Sequence, residues 1–582
     1  MKERILRGIP VNGGFGYGKV EIYRPELPTI EKKTITDDEV VKEFERLEKA
    51  IFLSKEDLEK IYQKVRTEIG KDIAEFIQIQ IAFLTDPLII EEVKNFIRKE
   101  KVNAEYAYSE VIKKYHTFFL SKETPVFIDK GLEIFDVCLY VIEKLQNSDK
   151  LFSLLRPTEK CVLLARSLTP MNMAILDKEY ILGIALELGG KTSHVSIMAK
   201  AKDIPTVVGI ENLLNYGVNA KEAIIDGNRG ILIFNPSEKR IKFYEKEREE
   251  LTKRRKLLTI KKEAKTKDGK EIDISANIEF LCEAVTAKEY GAKGIGLFRT
   301  EYLFLSKRNL PSEEEQFTIY KEVAEIMKPY FVIIRTFDLG GDKIIPGYQE
   351  DNPFLGWRGI RFCLANLDFF KTQLKAILRA SAYGSIKIML PMVSTIEEVV
   401  NTKKILNELK EEFRAQKIPF DENIDLGIMV ETPSSVFLAD VLAKICNFFS
   451  IGSNDLTQYT LACDRGNEKV AYLFNHYHPS VLRLIKETIE KAHKNGIWVG
   501  LCGEMASEIF GIIILIGMGI DELSMAPQFI PQAKEFISIL DTDFCKEVAE
   551  RVVNFSTAQE VIKYLKKRIK KEGIALEKYS YV

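Results

Sequence analysis

A multidomain α/β chain ending in a (β/α)8 barrel is predicted by three features of the sequence. Over roughly its last 300 residues, eight short apolar runs alternate with longer helical patterns. From Thr36 to about Thr124 the texture is different: Gly70 is the only glycine, Pro87 the only proline, and apolar residues recur at helical spacing. The length, 582 residues, also exceeds one core at ~100–200 residues per domain.

The elements follow in order. Residues 1–24 hold short apolar runs around "NGGFGYG" and read as strand, glycine turn, strand. "TDDE" at 36–39 fits a capping box of Thr36 with Glu39. Phe44, Leu47 and Ile51, then Leu58, Ile61 and Val65, carry the helical period of a subdomain placed at 25–145. Between 160 and 235, "CVLLA", "ILGIALE", "PTVVG" and "EAIIDGNRGILIF" read as short strands broken by glycines and one helix. Residues 237–266 have no glycine or proline and read as a solvated helical connector. The barrel strands are "IDISA" 272–276, "GIGLF" 294–298, "FVIIRTF" 331–337, "IKIMLP" 386–391, "LGIMV" 426–430, "NFFSIG" 447–452, "IWVGL" 497–501 and "ELSMA" 522–526.

Composition excludes several classes. The net charge is −1, so no global field favours nucleic acid or an anionic membrane. The longest apolar stretch, 511–520, is too short to span a bilayer, and the N-terminus lacks a signal-peptide apolar core. Eight scattered cysteines without a CxxC pair read as reduced thiols in a cytoplasm.

In a barrel of this kind the active site lies at the C-terminal strand ends. Arg299 follows "GIGLF", and Arg335 lies near the end of "FVIIRTFD". Glu431 follows "LGIMV", Asn454 and Asp455 follow "NFFSIGS", and Cys502 follows "IWVGL". Singly, each reads as a surface charge, a helix cap or a buried filler; together, at the same end of successive strands, they read as a site. Arginine forks bind carboxylate and phosphate, and two carboxylates with waters and substrate oxygens suit Mg²⁺. An anionic substrate bearing both phosphate and carboxylate is implied. Arg465 in "ACDRGN", with Arg358 and Arg361 in "NPFLGWRGIR", adds positive charge near that rim. Far upstream, His194 in "GGKTSHVSIMAKAKDIPTVVG" opens a helix after two glycines. It reads either as a solvated cap or as an imidazole beside an anion-binding helix start.

These segments, with "GIGLFRTEYLF", "RTFDLGGDK", "MVETPSS", "FFSIGSNDLTQYTLACDRGN" and "WVGLCGEMA", resemble the enzyme I family. Enzymes I are the phosphoenolpyruvate–protein phosphotransferases of the bacterial sugar phosphotransferase system. The resemblance runs in order over nearly the whole chain. It implies that His194 is phosphorylated by phosphoenolpyruvate and passes the phosphoryl group to the phosphocarrier protein HPr. It implies further that Arg299, Arg335, Asn454, Asp455, Arg465 and Arg358 hold the substrate, that Glu431 and Asp455 bind Mg²⁺, and that Cys502 protonates the enolate. The implied layout is a swivelling phosphohistidine domain (1–24 and 146–235) interrupted by an HPr-docking helical bundle (25–145), a helical linker (236–265) and a phosphoenolpyruvate-binding barrel (266–575) that forms a homodimer. Hinges are expected near 25–30, 145–150 and 235–265. Lys191 and Lys200 stand where the family commonly has arginine, which keeps the charge and loses the fork. An ATP-dependent dikinase would need a large nucleotide-binding domain before "TSH", where this chain has mostly helix. A non-catalytic sensor would lack a catalytic group, and none is missing.

Overall fold

The computed structural model describes residues 3–24, 30–68, 71–120, 125–147, 157–189, 194–246, 263–305, 311–340, 350–465, 467, 469–576 and 579. Residues 25–29, 148–150 and 247–262 of the expected hinges lie outside the described residues, as do Gly190, Lys191, Ser193 and the His194 side chain. The chain divides into two compact units, Met1–Thr252 and Lys253–Val582.

The first unit is built on an eight-stranded sheet. Its strands are β1 Arg4–Arg7, β2 Ile9–Asn12, β3 Phe15–Tyr23, β4 Cys161–Ala165, β5 Ile181–Leu186, β6 Thr206–Val208, β7 Glu222–Asp226 and β8 Ile231–Phe234, in the order β1-β8-β7-β3-β4-β5-β6-β2. The first 24 residues form three strands, not two. The chain passes from β1 at one end of this order to β2 at the other, so β1 pairs with β8 and β2 with β6. β3 and β4 are parallel neighbours, and parallel neighbours need a crossover. Here that crossover carries, among the described residues, the helices α1 Val40–Glu68, α2 Lys71–Leu84, α3 Pro87–Glu100, α4 Ala104–Leu120 and α5 Pro125–Leu145.

The helical period of α1 becomes burial, with Leu47, Ile51, Leu58 and Val65 all in the core. The Glu39 carboxylate accepts from the Thr36 N–H (2.9 Å) and hydroxyl (3.1 Å) just before it. Glu43 of α1 accepts from the Ala104 N–H at the start of α4 (2.7 Å), and Arg46 pairs with both Glu43 and Glu105. These bonds tie the two helices by satisfying a buried helix start. Downstream of β5, Gly189 takes a positive φ of 119°, and the helix His194–Ala201 sets Met198 and Ala199 into the core.

The second unit contains a closed barrel of parallel strands. They are β9 Asp273–Ile278, β10 Gly294–Phe298, β11 Phe331–Arg335, β12 Ile386–Leu390, β13 Asp425–Val430, β14 Phe448–Ile451, β15 Trp498–Leu501 and β16 Glu522–Met525. All eight runs singled out in the sequence are strands. The connector differs from expectation. Residues 238–246 are helical, but the helix does not reach 266. Lys265 instead bridges Glu271 in a tight turn, with Thr266 N–H donating to Lys270 O (3.0 Å) and Gly269 at φ 88°. The "TKDGK" segment supplies the glycine such a turn needs.

Outward-facing strand residues pack on the helices, while Leu297, Ile333, Met389, Met429, Phe448 and Cys502 form a separate cluster inside the barrel. Phe448 stacks on Trp498 within it (centroids 4.9 Å apart, planes at 8°). One irregularity decides what reaches the rim. On β10, Ile295 pairs with Ala276 and Leu297 with Asn277, so Gly296 is an extra residue. This bulge turns Leu297 inward and Phe298 outward, and it brings Arg299 into the barrel mouth. Strict alternation would have aimed Arg299 outward.

Candidate active site

Each rim residue is held by a specific device. Arg335 ends β11 and is 8% exposed. Its Nη2 donates to Glu301 Oε1 at 2.9 Å, and its Nη1 lies 3.3 Å from Asp338 Oδ2. Arg358 grips the same Asp338 with two donors, at 3.0 and 2.6 Å, and its Nη1 donates to the Tyr459 hydroxyl at 3.3 Å. A buried network stands behind them. The Thr300 hydroxyl donates to the Arg335 carbonyl (2.9 Å), and the Gln373 amide donates to Thr300 and Tyr320 and accepts from the Phe337 N–H. The arginines are therefore preorganised rather than free to search. Burial works against the Arg335 charge, yet Glu301, Asp338 and Glu431 outweigh it and raise its pKa.

Glu431 follows β13 and is wholly buried. One oxygen accepts the Met392 N–H at 2.6 Å, from a backbone held in the left-handed region (φ 58°). The other oxygen has no hydrogen-bond partner among the described residues. It faces Gly452, where a Cβ would stand 2.9 Å away, so the glycine keeps that space open. Burial, then Asp455 and Asp338, push the Glu431 carboxyl up to about 8, against the pull of Arg335 and Arg358. Arg335 Nε is likewise buried and unpaired. Among the described residues the mouth thus includes an orphan carboxylate acceptor and an orphan guanidinium donor, the complements of a cation and an oxyanion.

Arg299 donates to Glu279 Oε1 at 2.9 Å. Asn454 and Asp455 lie in the first turn of the helix Ser453–Thr460, and Asn454 Oδ1 accepts the Glu504 N–H at 3.2 Å. Cys502 directly follows β15, is 3% exposed, and points its Sγ at Ile451 O (3.7 Å). Burial pushes its thiol up to about 12, with Ser450 and Arg299 pulling the other way. At neutral pH it is an SH group, a donor rather than a nucleophile.

The structure therefore brings Arg299, Arg335, Arg358, Glu431, Asn454, Asp455 and Cys502 to one mouth. Arg465 is exposed on the following loop, with its backbone N–H donating to Gln458 Oε1 (3.3 Å). Arg361 is spent on backbone and a neighbouring loop, donating to Leu355 O, Gly356 O and the hydroxyl of Ser394 after β12. Sequence reasoning missed Glu279, Glu301 and Asp338. Two of these sit inside quoted motifs, Glu301 two residues after Arg299 and Asp338 three after Arg335. With Glu431 holding its proton, Arg299, Arg335 and Arg358 still face four carboxylates, Glu279, Glu301, Asp338 and Asp455, one more negative charge than positive. An anionic substrate is unfavourable there without a cation. Among the described residues no group of three or more His, Cys, Asp or Glu could hold a metal ion. A two-carboxylate site suits an ion that keeps waters and substrate oxygens, as Mg²⁺ does.

A parallel barrel with an anion- and cation-complementary mouth defines a class, and comparison with known proteins gives the same one. Three models of PEP-utilising enzymes match in order: the N-terminal domain at 7–129, the mobile domain at 157–230 and the PEP-binding domain at 253–542. The chain belongs to the PEP-utilising enzymes, and within them to the phosphoenolpyruvate-protein phosphotransferase (enzyme I) family. It is 40% identical over 571 residues to the phosphoenolpyruvate-protein phosphotransferase of Priestia megaterium, covering 96% of this chain and 98% of the relative. It is also 40% identical over 575 residues to that of Bacillus subtilis (strain 168), covering 97% and 100%. An NMR solution structure of Enzyme I (nEIt) is 34% identical, spanning 42% of this chain and 98% of that one, at a TM-score of 0.34. Among the described residues no helix is long and apolar enough to cross a membrane.

Proposed function

We propose that this enzyme moves the phosphoryl group of phosphoenolpyruvate to His194 and then to a histidine of the phosphocarrier protein HPr, releasing pyruvate. The observation that carries the reading is the barrel mouth, where a buried orphan oxygen of Glu431, the paired arginines and a protonated Cys502 converge. Arg299, Arg335 and Arg358 hold the substrate's phosphate and carboxylate by fork geometry, with Asn454, Asp455 and Arg465 completing the pocket. Mg²⁺ on Glu431 and Asp455 supplies the charge neutralisation that the acidic mouth lacks. His194 as neutral imidazole attacks phosphorus in line, and positioning and electrostatics dominate so loose a transition state. Cys502 then gives its proton to C3 of the departing enolate.

His194 must meet both the barrel and the phosphocarrier, so the domain that bears it moves between them. Exposed Phe52, Ile79 and Leu88 on the helical block supply apolar surface for the carrier. A homodimer formed through the barrel and a cytoplasmic location complete the proposal.

Labelled phosphoenolpyruvate with Mg²⁺ and no ATP should leave acid-labile, base-stable label on the protein. Label that persists in His194→Ala would refute the assignment. Crosslinking the histidine-bearing domain to the helical block should abolish labelling; survival of labelling would refute the movement.

A further inference from the structure

The barrel contains a second buried carboxyl that the reaction above does not use. Glu522 opens β16 and is 2% exposed, and neither of its oxygens has a hydrogen-bond partner among the described residues. The site is built around it. A Cβ at Gly296 would run into Glu522 Oε1, and one at Gly500 into Oε2, so the adjacent strand β15 and the next strand but one on the other side, β10, leave inward positions empty beside it. Gly296 is also the bulge residue of β10. Burying a carboxyl without hydrogen-bond partners is unfavourable, so the arrangement asks for a role.

The strand register shows what lies next to it. Gly500 is paired with Glu522 on one side and with Ser450 on the other. With no side chain at Gly500, β15 puts only the edge of the Trp498 ring, 3.4 Å from where a Gly500 Cβ would stand, beside the gap between the carboxyl and the Ser450 strand. The Ser450 hydroxyl is also buried and without an aligned partner, and it lies near enough to Cys502 to lower the thiol's pKa. Cys502 is two residues beyond Gly500, on the same face of β15, about 6.6 Å up the strand. The groups around Glu522 are few. Half-exposed Asp273 and buried Ser275 face it from β9, and Cys502 from β15. Ser524, two residues on along β16, is occupied with Asn277 (2.6 Å). No lysine or arginine is among them. Lys293 reaches Asp273 from outside the cluster (3.5 Å) and also pairs with Glu271, and Lys387 is paired with Asp425.

We infer that Glu522 is a proton-relay residue that restores the Cys502 proton through Ser450. The inference rests on Cys502 being the acid. Once Cys502 has protonated the enolate, its thiolate takes the Ser450 hydroxyl proton as Ser450 takes the Glu522 carboxyl proton. This leaves SH, OH and a Glu522 carboxylate. Solvent protons reach that carboxylate from the strand-start end, past Asp273. Burial, opposed by Ser275, pushes Glu522 up to about 8, which keeps it a proton donor at neutral pH.

The test uses the whole enzyme with phosphoenolpyruvate, Mg²⁺ and carbon-labelled pyruvate in deuterium oxide. Carbon exchange between pyruvate and phosphoenolpyruvate needs no solvent proton, because Cys502 can return the one it took. Deuterium wash-in to the pyruvate methyl does need one. Glu522→Gln and Ser450→Ala should each lower the ratio of wash-in to carbon exchange about ten-fold, and the double variant no further. Equal slowing of both rates, as from a structural defect, leaves the ratio unchanged and overturns the relay. Full wash-in in Ser450→Ala overturns it even if Glu522→Gln does not fold. Cys502→Ala should slow both exchanges; if it slows neither, the acid assignment fails instead. The infrared difference between wild type and Glu522→Gln should show a protonated carboxylic acid at pH 7, and its absence refutes the relay.

Discussion

Glu431 and Glu522 lie in one barrel, one at its mouth and one in its middle. Both are fully buried and both are pushed up to about 8, chiefly by burial. Their neighbours differ. Glu431 has a backbone N–H on one oxygen, two arginines and Asp455 around it, and a vacant approach to the other oxygen. Glu522 has serines, glycines and no cation. Burial sets how tightly a carboxyl holds its proton, and neighbour chemistry decides what can replace that proton. A cation can replace it at the mouth; in the middle it can only be passed on.

The comparison breaks most severely at the mouth. Glu431→Gln removes the ionisable oxygen and should cut His194 labelling by about 10²–10³-fold, while the same change at Glu522 should leave that first transfer near wild type. Single-turnover labelling of the two variants decides it. Arg335→Lys keeps the charge but loses the fork, and a lost charged hydrogen bond of ~1.5–3 kcal/mol predicts a drop of about ten- to a hundred-fold in kcat/KM. Gly296→Ala crowds Glu522 and the β10 bulge, and overpacking of this kind costs about 1–3 kcal/mol, measurable by urea denaturation.

The smallest effect is in pH. Both carboxyls bind their protons more tightly folded than unfolded. Their contribution to stability is therefore present at low pH and lost as pH rises toward about 8. Glu522→Gln cannot lose that proton, so its Tm should gain on wild type as pH rises through this window. Protons also compete for Glu431, so the Mg²⁺ needed for half-maximal labelling should rise as pH falls below about 8.

Much of this molecule is legible locally. Short apolar runs mark all eight barrel strands, and Arg299, Glu431 and Cys502, each directly after a run, fall at the mouth. The parallel pairing of β3 with β4 around the helical block was less visible, since it joins strands on either side of α1–α5. Residues 1–24 concealed a third strand because a single residue, Gly8, separates β1 from β2.

The sequence by itself determined which residues stand at strand ends, because strand period and length depend on the chain's own pattern. Only the tertiary structure decided which of them pair. Asp338 is shared by Arg335 and Arg358, and Glu301 is turned toward Arg335. The Gly296 bulge re-aims Arg299, and Gly500 opens the space between Glu522 and Ser450. Each of these depends on barrel closure, which brings residues distant in the chain within a few ångströms, so no local pattern records it.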